Sequence, residues 1–203
     1  MLLQGKAILG PGLFVAAMVL FSAGLPVTTA AQTQAQDAAK PAPVVKPSPG
    51  PAGELLEMWE RIAKMNIDMA EQFPEEKYGY KPTQEVRSFK EQILHVASAN
   101  YFFIRLSGGE KTRASHPGRE TKADVVAVLK ESYADGAALI RKLGDEGLTR
   151  TAKHPFADYA VSLRTMLTVA ANHGGEHFGQ LVVYYRLNDL VPPTTQEQQR
   201  SRN

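Results

Sequence analysis

The sequence predicts an all-α fold, a four-helix bundle with crossover loops, preceded by a signal peptide and a disordered linker. Three observations predict it. Four stretches place apolar residues at helical spacing, glycine or proline punctuates their ends, and no segment alternates convincingly as a strand does. The connections are long enough for crossovers, and four helices of several turns then have a bundle as their natural packing.

The first helix is predicted from about Glu54 to Gln72, with Leu55, Trp59, Ile62, Met65 or Asn66, and Met69 on one face. Phe73 to Pro82 ends it and supplies a connection with two prolines. The second helix opens at Ser88-Phe89-Lys90-Glu91, a capping box in which Ser88 and Glu91 each accept from the other's backbone N–H. It runs to about Ser107 and stops at Gly108-Gly109. His95, Ala99, Phe102 and Leu106 share a stripe that is expected to face the core. Glu110 to Glu120 is a polar loop containing His116. Thr121 to Asp124 opens the third helix, whose buried face is carried by Val125 or Val126, Leu129, Tyr133, Ala137 and Ile140 to about Leu143, with Gly144 and Gly147 ending it. A loop from Leu148 to Tyr159 holds His154. The fourth helix starts near Ser162, passes Met166, Val169 and Ala170, and ends around Leu187-Asn188 before Pro192-Pro193.

The rest of the 203 residues lies outside this domain. Residues 1–30 carry Lys6, an apolar run from Ala7 to Leu25 broken by Gly10, Pro11 and Gly12, then small residues up to Ala31, the layout of a signal peptide. The alternative is an uncleaved anchor, which the breaks disfavour because a span needs roughly 20 apolar residues. Residues 31–53 are rich in Ala, Pro, Gln and Lys without periodicity and are expected to be a flexible linker. The predicted domain is then 54–195, with a polar tail at 196–203. This organisation implies an exported protein, periplasmic or extracellular, without a stable membrane span after cleavage. Removing Lys6 leaves 22 basic against 21 acidic residues with no basic stripe, so nucleic-acid binding has no electrostatic support. No cysteine is present, which removes disulfides, thiolate ligands, a cysteine nucleophile and lipid attachment.

The chemistry concentrates at Asn172-His173-Gly174-Gly175-Glu176-His177. Residues at i and i+4 stack on one helical face, so His173 and His177 can offer two nitrogens to one ion. His95 on the second helix is the candidate third. Three neutral imidazoles bind a divalent first-row metal and leave positions open. The H-x-x-x-H spacing alone is weak and is not the zincin pattern, because Glu176 precedes the second histidine. That places Glu176 about 100° around the helix from His177, on the surface or behind a ligand. His116 and His154 sit in loops beside proline. Gln180 and Tyr184 continue the histidine stripe and are the candidate ligand-contacting residues, Gln180 having a buried amide bonded to a neighbouring helix as its alternative role. Gly174, Gly175 and Gly179 each cost the helix about 1 kcal/mol relative to Ala, which points to close helix approach, room for a ligand, or a weakened helix.

The sequence resembles the DinB/YfiT-like family of metal-dependent four-helix bundles over roughly Leu55 to Pro193. Phe73 to Tyr78 with Lys81-Pro82-Thr83 resembles the family's first connection. Ser88-Phe89 with Gln92 to Ala97 resembles its second-helix motif, and Asn172 to Leu181 with Tyr185 to Asn188 and Val191-Pro192-Pro193 resembles its closing motif. The resemblance implies that His95, His173 and His177 are the metal ligands, that the bundle has crossover connections, and that it forms a homodimer. It departs from many relatives in having Phe178, not arginine, after the last histidine. Characterised members include thiol S-transferases acting with bacillithiol or mycothiol, and a maleylpyruvate isomerase branch.

Two functional readings follow, with a third as their foil. One is a metal-dependent hydrolase or thiol S-transferase, in which zinc, or alternatively nickel, acts as a Lewis acid on an unknown small-molecule substrate. Low-molecular-weight thiols are mainly cytosolic, so export favours hydrolysis. The other is a non-catalytic metal-binding or interaction bundle. The foil is three core histidines without a metal.

Overall fold

A computed structural model describes residues 49–109 and 121–202. The predicted signal peptide, most of the linker and His116 lie outside the described residues. Four long helices, α1 (Gly50–Gln72), α2 (Phe89–Leu106), α3 (Lys122–Thr149) and α4 (Leu163–Arg186), form the bundle. Both α1 and α2 pack principally against α3 and α4. The pairs α1/α2 and α3/α4 therefore sit on diagonals, and the α1–α2 and α3–α4 connections cross over the bundle. Among the described residues no helix is long and apolar enough to cross a membrane.

Helix α1 begins at Gly50 and not at Glu54, so it takes in the last residues assigned to the linker. Proline occupies its first turn, where no N–H is needed, and the Ala52 N–H donates to Asp145 Oδ1 of α3 at 2.7 Å. Asn66, not Met65, is the fully buried residue of its face. Trp59 is 0% exposed, its Nε1 donates to the Tyr133 carbonyl at 2.8 Å, and its ring meets Tyr133 edge-on at 5.5 Å. Gly136 makes this possible, since a Cβ there would lie 2.1 Å from Trp59 Cζ2.

The α1–α2 connection is held by aromatic rings. Phe73 stacks on Phe89 at 3.8 Å, Tyr185 packs on Phe73 at 5.1 Å, and the Tyr185 hydroxyl donates to Met69 O at 2.8 Å. Within it lies a short 3-10 turn, Glu75–Lys77. The Ser88–Glu91 capping box forms as expected, with Glu91 N to Ser88 Oγ at 3.2 Å and Ser88 N to Glu91 Oε2 at 2.7 Å. A cap of this kind is worth about 1 kcal/mol, and here it also fixes the phase at which α2 enters the bundle. The opposite end of the bundle uses Ser162 as the N-cap of α4, accepting from Thr165 N at 3.1 Å.

Three elements differ from the sequence expectation. Helix α3 is interrupted at Gly144 (φ 57°), a left-handed conformation that suits glycine, and then resumes for a further turn to Thr149. The expected Leu148–Tyr159 loop contains β1 (Thr151–Lys153), which pairs antiparallel with β2 (Ala160–Ser162), matching Ala152 to Val161. The expected polar tail forms helix α5 (Pro193–Arg200), whose Glu197 pairs with Lys64 of α1 at 2.8 Å. Neither strand nor tail helix carries enough apolar residues to show a period.

Candidate metal centre

The histidines of α2 and α4 converge. His173 and His177 stand one turn apart on α4, their rings 4.3 Å apart, and His95 of α2 lies 5.1 Å from the first and 4.7 Å from the second. One nitrogen of each falls within 4.8 Å of the others. His173 Nε2 and His177 Nε2 face each other at 3.0 Å. Among the described residues this group has three members. The phase of the stripe on α2 is as expected, but its depth is not. His95, Ala99, Phe102 and Leu106 are half-buried, while Ile93, Val96, Ala97 and Ile104 fill the core. The apolar stripe is the wall of a cavity.

Electrostatics favour the neutral imidazoles that a metal requires. Burial pushes His95 down to about 4, with Arg87 and then the other two histidines adding to it. His173 is also held at about 4, by burial first and then by His177 and Arg87. Burial lowers His177 as well, against an opposing hydrogen bond from Gln180. At neutral pH each ring therefore presents a lone pair.

Behind His177, Nδ1 meets Gln92 Nε2 at 2.5 Å and Gln180 Oε1 at 3.0 Å, and Gln92 also hydrogen-bonds Gln180. With its proton on Nδ1, His177 would donate to Gln180 and leave the Nε2 lone pair for a ligand role, whereas a bare Nδ1 would accept from Gln92 Nε2. Gln180 is exposed, not the buried amide of its alternative role, yet it bonds a neighbouring helix through Gln92 as well as contacting a histidine. Tyr184 is buried, and its hydroxyl donates to the Arg87 carbonyl at 2.5 Å. Gln92 was not singled out from the sequence, although a glutamine one turn before His95 in an apolar helix was the available signal. Arg87, which bears on all three histidines, precedes the capping box and has no local signature. His173 Nδ1 is buried without a hydrogen-bond partner among the described residues.

Two cavities flank the cluster. One, of about 530 Å³, is bordered by His95, His173, Phe102, Phe103, Phe156 and Glu176. The other, of about 640 Å³, is bordered by Arg87, Gln92, Gln180 and Tyr184. Glu176 is exposed, at the rim of the first. His154 belongs to neither; its Nδ1 accepts from Phe156 N at 3.1 Å and its ring stacks on Tyr159 at 5.0 Å. Of the three glycines on α4, Gly174 marks close approach, since a Cβ there would lie 2.7 Å from the Tyr133 hydroxyl, whereas Gly175 and Gly179 face open space.

A crossed four-helix bundle thus brings three imidazoles together beside an open cavity, in an arrangement that could hold a metal ion. Residues 30–181 match the DinB superfamily, and the chain belongs to it. The uncharacterized protein YjoA of Bacillus subtilis (strain 168) is 26% identical over 121 residues, covering 59% of this chain and 79% of that protein. A DinB-like protein from Bacillus cereus ATCC 10987 superposes with a TM-score of 0.61 at 15% identity, covering 68% of this chain and 93% of that one. YfiT from Bacillus subtilis superposes with a TM-score of 0.55 at 18% identity, covering 75% and 94%. YfiT is described as a probable metal-dependent hydrolase with an unusual four-helix bundle topology. At these identities the solved structures establish a shared fold.

Proposed function

We propose that the chain holds one divalent metal ion, zinc first and nickel second, on His95, His173 and His177, and acts on a small molecule as a metal-dependent hydrolase. The observation that carries this reading is the convergence of three neutral imidazoles, with one nitrogen of each inside 4.8 Å, on the wall of an open cavity. The donor set fits, because borderline imidazole nitrogens suit divalent zinc or nickel and three of them leave coordination positions free. A divalent ion would supply Lewis-acid chemistry there, activating water or, in the transferase alternative, a thiol. The protein's own residues hold the ligands neutral by burial, and Gln180 orients His177. The description of YfiT as a probable metal-dependent hydrolase supports the same assignment. A purely metal-storing bundle is the weaker reading, because it gains nothing from a cavity beside its ligands.

The leader pattern of residues 1–30 supports work outside the cytoplasm, periplasmic or extracellular, where hydrolysis needs no thiol cosubstrate. We further propose a homodimer as the assembly and the helical region from α1 to α5 as the tethered working domain. The test of function is a panel of aryl esters, anilides and thiol-plus-electrophile pairs, with zinc-loaded and chelator-stripped protein. Turnover that vanishes on stripping, returns with zinc and is missing in His95→Ala supports the proposal. A rate equal in all three preparations contradicts it.

A further inference from the structure

The cavity beside His95 and His173 has a composition that selects its occupant. Three phenylalanines border it, Phe102 and Phe103 from α2 and Phe156 from the turn joining β1 to β2. Phe156 is 75% exposed, a costly position for a large apolar ring. It is nevertheless directed. Its ring lies nearly parallel to Phe102, 25° between planes and 6.2 Å between centroids. Its backbone N–H is tied to His154, and His154 is stacked in turn on Tyr159. The short β1–β2 ladder thus delivers an aromatic side chain to the mouth of the cavity.

Charge narrows the choice further. Among the described residues, Glu176 is the one ionisable acid or base bordering the cavity besides the histidines. Arg87 borders the other cavity, and the Arg105 guanidinium lies over the Phe102 ring at 5.9 Å without joining the lining. Ser98 and Asn172 are the neutral polar groups available. About 530 Å³ is within the range of small-molecule sites. A flat ring fits between the phenylalanines, and a carboxylate or phosphate carried at the rim, away from the ion the histidines would hold, meets Glu176 with no lining cation among the described residues to balance it.

We infer that this cavity is the substrate-side specificity pocket and takes an aromatic, non-anionic group, with Phe156 as the residue that selects it and Glu176 as the group that rejects negative charge. The inference rests on the metal reading above, since the three histidines would anchor the reacting end.

Hydroxamates test it, because the chelating head binds an open metal position and the tail samples the cavity. Zinc-loaded wild type, Phe156→Ala and Glu176→Gln are titrated calorimetrically with acetohydroxamate, benzohydroxamate and 4-carboxybenzohydroxamate. The phenyl tail is expected to improve affinity by about tenfold in wild type and by much less in Phe156→Ala. Intrinsic chelating strength cancels between the two proteins. The 4-carboxylate is expected to cost about fivefold, with the loss relieved in Glu176→Gln. Phe156 is exposed, so its replacement leaves the core intact. Equal phenyl gains in wild type and Phe156→Ala overturn the inference while the metal reading stands. Absence of acetohydroxamate binding to the zinc-loaded protein overturns the metal reading, and the inference falls with it.

Discussion

Helix α4 turns two faces to the bundle, one residue out of phase, and the faces handle polarity in opposite ways. At Gly174 the backbone comes close enough for Asn66 Nδ2 to reach Gly174 O at 3.0 Å, alongside Ile62 O and the Tyr133 hydroxyl, each at 3.1 Å. A donor there meets acceptors, and the contact depends on glycine having no Cβ. At His173 and His177 two ring nitrogens face each other at 3.0 Å, with a third from His95 nearby. Neutral imidazoles so placed can share one proton between two nitrogens at most, and the remaining lone pairs point at one another. On the first face the Asn66 donor is satisfied by protein acceptors, while its Oδ1 is buried without a hydrogen-bond partner among the described residues. On the proposed reading the second is completed by a cation, which would make burying three histidines together chemically sensible.

The largest expected effect is on the packing face. Gly174→Ala, which drives a Cβ to 2.7 Å from the Tyr133 hydroxyl and 2.9 Å from Ile62 Cγ2, is expected to cost about 3 kcal/mol, the upper part of the overpacking range, and Gly136→Ala, at the neighbouring approach of α3 to Trp59, about as much. Chemical denaturation should show the same loss with and without zinc; a loss seen only with zinc would break the distinction between faces. On the histidine face the pattern reverses. His95→Ala should abolish stabilisation by zinc, worth about 2.7 kcal/mol at a free concentration 100 times Kd, and leave zinc-free stability within about 1 kcal/mol. Gln180→Ala, which removes the acceptor at His177 Nδ1, should weaken zinc binding by about ten- to a hundredfold, read by competition with a chelating dye.

Acid separates the faces in the metal-free protein. His95 and His173 are held at about 4 instead of 6.5, so between those values the unfolded chain takes up protons that the folded chain refuses. Stability should be complete above about pH 6.5, fall as pH drops through that window, and stop responding to these groups below about 4. Denaturant midpoints at pH 7 and pH 5 check the sign. The smallest effect is expected far from both faces: Glu197→Ala removes an exposed pair with Lys64 and should change stability by less than about 0.5 kcal/mol.

The contrast between faces was only half visible in the sequence. The Ser88 and Ser162 caps, the four helices and the three histidines could be read because each depends on local chemistry or on period. The stripe of His95, Ala99 and Phe102 showed its period but not its depth, since an apolar stripe reads the same against a core or a cavity. Gln92 and Arg87 act on the histidines through the crossing of helices, which no local pattern encodes. Strands β1 and β2 are three residues each, too short for alternation. Helix α5 is almost wholly polar and is started by Pro193 and supported by Lys64. Gly174 signalled close approach correctly, whereas Gly175 and Gly179 carry the same composition with nothing near them.

The central claim is that the histidine face holds a metal, and elemental analysis of tag-free protein tests it most directly. Wild type purified without chelator is expected to carry about one zinc or nickel per chain, and His95→Ala, folded by circular dichroism, far less. A wild-type content well below one per chain that cannot be raised by adding metal, and that His95→Ala leaves unchanged, would contradict the account.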